Sequence, residues 1–261
     1  TSYVAGGKNL VAEGPAPNFW RAPTENDFGN DMHIRCAMWH HFGDELELQT
    51  LVPVQSGDHT MLLAEYIHPG NGSNYTVSYH FNDRGEVLVQ ASFRPSKNNF
   101  PEVPRFGMRL VLPSGMDSLE YFGRGPHENY IDRNHSAMVG LYRSTVDEQY
   151  VPYISTGECG NRTEVRWLVL KDDRGYGLKV RGGPLVDFSA LHYSQEELDR
   201  EQRDGTHTTD LEKSEKVFLN VDWKQMGVGG DNAWGARTHA EYTLRAVPMQ
   251  YSYLLSPVFP R

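Results

Sequence analysis

Cysteine is nearly absent from this chain: Cys36 and Cys159 are its only two in 261 residues. Thiols so few and so far apart build neither a disulfide framework nor a zinc site, and each reads as a small buried residue. No apolar run is long enough to span a bilayer, and the mean hydropathy is −0.59, so no membrane is expected. Positive charge is also short, with 25 Lys and Arg against 34 Asp and Glu. Phosphate binding needs the opposite surplus on one face, which argues against a nucleic-acid partner. An H-E-x-x-H pattern is missing, and His40-His41, adjacent on an expected helix, would point in different directions. No metal site is therefore expected. The sequence starts at Thr1 without an initiator Met or a signal peptide, which suggests a piece of a longer polypeptide. Cytoplasmic and periplasmic locations both stay open.

What the chain does have is strand signal. Met61–Tyr66, Tyr75–Phe81, Val87–Phe93 and Arg105–Leu112 mix β-branched and aromatic residues in partial alternation, bounded by Gly, Pro, Asn and Asp. Val165–Leu170, Gly177–Arg181, Val217–Val221 and Ala240–Ala246 continue the pattern, with hairpin turns expected at Asp83–Gly85 and Asp172–Gly175. Two segments have helical character. Asp31–His41 spaces Ile34, Met38 and Phe42 on one side, and Ser194–Gln202 opens with Ser194 as an N-cap. Many short strands with one or two short helices predict an all-β fold, a large β-sandwich. The charged run Asp204–Glu215 reads as a solvated loop, and no clean linker divides residues 1–261, so a single domain is expected.

Three loops carry chemistry. Tyr121–Arg133 packs Gly123, Gly125, Pro126, His127, Glu128 and Asp132 into a sharply shaped segment, either a general acid–base site or a turn pinned by polar contacts. Arg21–Asp31 groups Glu25, Asn26, Asp27 and Asp31, oxygens that could bind Ca²⁺, but their spacing is not that of an EF-hand and Asx residues before a helix cap it. Gly227–Trp234 has three glycines without the Lys-Ser/Thr and helix of a phosphate cradle. A tryptophan displayed on such a loop suits the C–H face of a sugar, and Asp231 and Asn232 beside it could meet hydroxyls.

Four segments in order, Asn18–Asp27, Tyr121–Arg133, Tyr150–Arg162 and Met226–Trp234, resemble the C-terminal small-chain domain of glycoside hydrolase family 2 β-galactosidases, over about Asn18 to Leu255. The resemblance implies a supersandwich similar in fold to galactose mutarotase. It further implies a domain that is non-catalytic alone, because the family's catalytic glutamates lie on a (β/α)₈ barrel of the same polypeptide. Mg²⁺ would belong to the full enzyme, with no cofactor in this domain. The implied substrate is a galactoside such as lactose, and the full enzyme would be a homo-oligomer. Trp234 matches the family's aglycone-side platform, and the loop bearing Asn26, Asp27 and Gly29 would lie at the pocket edge. The resemblance weakens after Trp234, where Gly235–His239 departs from the family's pattern. Two other functions stay open: a sugar-binding or scaffold module, and an aldose mutarotase using His192, or His127 with Glu128, as acid and base.

Overall fold

The computed structural model describes residues 2–56, 59–200, 206–232 and 235–260. A hairpin of β1 (Tyr3–Ala5) and β2 (Lys8–Val11) leads into a large antiparallel sheet. Its strands are β3 (Glu13–Asn18), β4 (Glu47–Ser56), β5 (His59–Ile67), β6 (Asn74–Phe81), β7 (Val87–Arg94) and β8 (Arg105–Leu112). They continue as β9 (Ser118–Gly125), β10 (Met138–Thr145), β11 (Arg162–Lys171), β12 (Gly177–Leu191), β13 (Val217–Gln225) and β14 (Met249–Val258).

The sheet forks at β12. One path runs β10-β9-β11-β12-β14-β7-β6-β5-β4, and the other leaves β12 through β13 and β8 to β3. Gly177–Gly182 of β12 pairs with β14, whereas Asp187–Leu191 pairs with β13. The change of partner falls at Gly182-Gly183-Pro184, residue types that a strand uses where it bends. The fork lays β7 and β14 over β8 and β13. Phe106 of β8 meets Tyr251 of β14 at 5.4 Å and Phe93 of β7 at 6.3 Å between ring centroids. The Tyr251 hydroxyl donates to the Val221 carbonyl at 2.9 Å. These strands face each other without sharing ladder bonds, which is a sandwich. The expected large all-β fold is what the structure shows.

Alternation explains the layers. Val87, Val89, Ala91 and Phe93 of β7 are buried at every second position. One end is plugged by an aromatic cluster in which Phe19 packs on Phe42 at 4.7 Å and on Phe93 at 5.1 Å, and Trp39 packs on Phe42 at 4.9 Å.

The helical segments are shorter than their spacing predicts. Instead of one helix over Asp31–His41 there are α2 (Met32–Arg35) and a 3₁₀ turn at Ala37–Trp39, preceded by a separate α1 (Glu25–Gly29). The break within the segment lies at Cys36, and Asp31, whose φ of 58° is left-handed, separates α1 from α2. Downstream of Asp31, Met32, Cys36 and Trp39 face the core, while Ile34 is 66% exposed. Ser194 does cap a helix: its Oγ accepts from the Glu197 amide at 3.1 Å, opening α3 (Gln195–Leu198). Residues 201–202, the expected end of that helix, lie outside the described residues, as do 204–205 at the start of the expected loop. Ala240–Ala246 is not a strand. Its carbonyls instead anchor neighbouring loops, Tyr242 O accepting from Gly227 N and Leu244 O from Val103 N, both at 2.8 Å.

Candidate functional site

All four motif segments converge at one end of the sandwich. Thr24–Asn26 at the start of α1, Tyr130 and Arg133 after β9, Tyr153–Glu158 before β11, and Val228–Gly229 after β13 enclose a pocket of about 300 Å³. Buried polar contacts, which are directional where apolar packing is not, fix where these loops meet.

Arg21 is the staple. It is fully buried, and its Nη1 and Nη2 donate to the carbonyls of Met226 and Gly227 at 2.6 and 2.9 Å, tying the first motif to the last. Asp27 receives the same guanidinium at 3.1 and 2.8 Å and accepts the Thr24 amide at 3.0 Å, closing a capping box on α1. Burial of Arg21 would lower its affinity for a proton, but the Asp27 carboxylate outweighs that and holds it above its ordinary range. The Asn26 amide reaches the Val228 carbonyl at 3.3 Å.

The acidic groups of the Tyr121–Arg133 segment are likewise committed. Gly123 and Gly125 lie inside β9, so the segment is half strand and half loop. Glu128 is buried and accepts from Arg133 at 2.5 Å, from the Gly160 amide at 2.7 Å and from the Tyr153 hydroxyl. Asp132 accepts from the Gly229 amide at 2.8 Å, and its carboxylate fills the space a Cβ on Gly227 would need, at 2.5 Å. His127 meets Ser136 at 3.0 Å, and His192 lies between Asp117 at 2.7 Å and the Lys216 carbonyl at 2.9 Å. Neither histidine is hydrogen-bonded to Glu128, and neither lines the pocket.

Beneath the pocket lies a buried charge cluster that sequence reasoning missed. Arg105 sits between Glu158 at 2.8 Å and Asp222 at 3.1 Å, and Glu158 also accepts from Gln225 at 3.0 Å. Burial pushes Asp222 up to about 7; Arg105 works against that and Glu158 adds to it. Asp187, opposite Asp222 in the β12–β13 ladder, is raised well above the carboxylate range, first by burial and further by the Asp222 charge. Tyr130 is buried in the pocket wall, and its hydroxyl has no partner among the described residues. No single residue type signalled these roles, because they arise from long-range pairing of β8, β12 and β13.

Of the expected site residues, Trp234 lies outside the described residues, while its neighbours Asp231, Asn232 and Gly235 lie within them. Asp231 is exposed and paired with His239 at 2.5 Å, and that bond and charge raise the imidazole above its usual range. Asn232 accepts from the Ala236 amide at 3.2 Å. Asn26 lines the pocket, whereas Asp27 is buried behind it. Gly29 meets the loop directly: a Cβ on Gly235, whose φ is +95°, would lie 1.9 Å from the Gly29 carbonyl. Gly235→Ala is therefore expected to lift the loop from α1 at a cost of about 1–3 kcal/mol. Faster amide hydrogen exchange at Asn30 and Ala236 would report it; unchanged exchange would refute the contact. Among the described residues, no three His, Cys, Asp or Glu side chains converge to hold a metal ion.

Residues 1–255 match the family described as Beta galactosidase small chain. A β-galactosidase of Priestia megaterium (strain DSM 319 / IMG 1521) is 39% identical over 245 residues, covering 94% of this chain and 23% of that protein. Another, from Streptococcus thermophilus, is 31% identical over 257 residues, covering 97% and 24%. The chain thus spans about a quarter of the length of the curated relatives it matches. Among solved structures, a galactose 1-epimerase from Lactobacillus acidophilus NCFM superposes with a TM-score of 0.46 at 8% identity, covering 100% of this chain and 76% of that one.

Proposed function

The chain belongs to the β-galactosidase small-chain family, and we propose that it is the accessory domain of a glycoside hydrolase family 2 β-galactosidase, bordering the aglycone side of the active-site pocket. The catalytic glutamates of that enzyme would lie on a (β/α)₈ barrel of the same polypeptide. One observation carries this reading. Where the four motif loops converge, the carboxylates of Asp27, Glu128, Asp132 and Glu158 each hold a loop or an arginine in place. A glycosidase needs two carboxyl groups facing one another across a sugar, and carboxylates committed in this way shape a pocket instead.

Trp234 is the proposed contact with the aglycone, its indole stacking on a sugar face. Asp231 and Asn232 would flank it, and Asn26 and Gly29 would form the pocket edge, with Asp27 supporting them from behind. The full enzyme would hydrolyse terminal β-galactosides such as lactose, use Mg²⁺ and assemble as a homo-oligomer. That ion would be held elsewhere in the polypeptide.

This reading predicts no turnover of a chromogenic galactoside by the 261-residue chain alone. In the full enzyme, Trp234→Ala should lower kcat/KM for lactose about tenfold, roughly 1.4 kcal/mol, with little change in thermal stability. Unchanged lactose kinetics with an intact oligomer would favour a scaffold role over a pocket role.

A further inference from the structure

We propose that the pocket formed by Thr24–Asn26, Tyr130, Arg133, Tyr153–Glu158 and Val228–Gly229 is a subsite for one neutral sugar ring of an extended galactoside, beyond the ring that meets Trp234. The proposal rests on the reading that this chain borders a galactosidase active site.

Its size is the first argument: about 300 Å³ is the lower end of small-molecule sites. Its charge is the second. Glu158 is neutralised by Arg105 at 2.8 Å, and Arg133 by Glu128 at 2.5 Å. An anionic ligand would enter against the Glu25 carboxylate without a free cation among the described lining residues to match it, which is costly, whereas a neutral polyhydroxyl ligand needs none. Glu25 on the rim accepts from the Ser155 hydroxyl at 2.8 Å and, being exposed, has lone pairs left for further hydroxyl donors.

The third argument is what the wall leaves unmade. The hydroxyls of Tyr130 and Thr156 are buried without a partner among the described residues, although most buried polar atoms have one. A sugar hydroxyl, or a water carried with it, would satisfy them. The exposed ring of Tyr153 beside them offers an apolar face for C–H contact. Position is the fourth. Glu25 and Asn26, at the start of α1, line this pocket, while Gly29 at its end touches Gly235 beside Trp234. Over four residues a helix rises about 6 Å, so the pocket begins about that far along α1 from the contact with Gly235, a separation that one saccharide can span.

The test uses the intact enzyme that carries this chain and compares kcat/KM for lactose with that for a β-galactosyl-lactose trisaccharide. Ser155→Tyr, which fills the pocket, and Tyr153→Ala, which removes the ring, should each lower the trisaccharide value about tenfold or more and leave lactose within about twofold. Tyr153→Phe loses the hydroxyl bond to Glu128 but keeps the ring, and should retain trisaccharide activity. The proposal is overturned by a wild-type enzyme that does not cleave the trisaccharide, by equal losses on both substrates, or by no loss on either. It is also overturned if Tyr153→Phe behaves as Tyr153→Ala does, since the ring would then only anchor the loop. Trp234→Ala acts on lactose as well, so failure of that variant alone leaves the trisaccharide-selective losses standing.

Discussion

Replacing Arg105 with methionine is expected to destabilise the fold by about 3–5 kcal/mol, the usual cost of leaving buried charge without its partner. Arg105 has a side chain 1% exposed and is the only cation ion-paired to either Glu158 or Asp222 among the described residues. Its Nη1 also reaches the Gln195 side chain at 3.3 Å and the Trp20 carbonyl at 3.4 Å, so α3 and the first motif lean on it as well. Methionine fills most of the volume, which separates the lost charge from a cavity. Protonation of Asp222, which burial already pushes up to about 7, relieves part of the penalty, so the loss should be smaller at pH 5 than at pH 8. Urea titration of the variant and wild type at both pH values measures it. A loss below about 1 kcal/mol at pH 8 would mean the two carboxylates are solvated in a way their burial denies.

Strand placement was readable where a segment alternates and is flanked by turn residues. Arg105–Leu112 is a strand with those bounds, and the turns at Asp83–Gly85 and Asp172–Gly175 join β6 to β7 and β11 to β12 as their glycines imply. The pattern failed where burial rather than alternation sets the conformation. Glu47–Ser56 is an edge strand exposing Leu48, Leu51 and Val52, so it has no buried face for alternation to mark. Asp31–His41 shows the opposite failure: a helical period was present, but the α-helix stops at Cys36 and the 3₁₀ turn at Ala37–Trp39 resets the phase after it. Local spacing carries no information about such a reset.

The site was legible as a set of loops and not as a set of contacts. The four motif segments do meet at one pocket, which makes their order along the chain a statement about space. The roles inside it were hidden, because each depends on a partner far away in sequence. Arg21 reads as an ordinary cation until the carbonyls of Met226 and Gly227 are seen to close on it. Asp27, an expected pocket-edge residue, is taken up by that same guanidinium. Asp222, one residue past the expected strand Val217–Val221, gave no hint that Asp187 would face it across a ladder.

That facing pair sets a pH dependence opposite in sign to that of a salt-bridged surface carboxylate. Asp222 is fully buried and held near 7, first by burial, with Arg105 opposing and Glu158 reinforcing the shift. In the unfolded chain an aspartate titrates near about 3.9. Between about pH 4 and 7 the folded chain therefore keeps a proton that the unfolded chain has released, and the stability this provides falls as pH rises through the window. It is complete below about pH 4 and gone above about pH 7, at roughly 1.4 kcal/mol per unit and so about 4 kcal/mol at most. Asp187 on the facing strand is raised by burial as well, with the Glu164 amide pulling it down and the Asp222 charge pushing it up, so it adds with the same sign. Chemical denaturation at pH 5 and pH 8 should show wild type losing stability relative to Asp222→Asn, whose amide cannot ionise. A constant difference between the two proteins across that range would show that Asp222 ionises as readily in the fold as outside it. Because Glu158 shares Arg105 with Asp222 and also lines the pocket, the same titration should loosen the Tyr153–Glu158 wall, and the protection of its amides, the factor by which they exchange more slowly than in the unfolded chain at the same pH, should fall over the same pH interval.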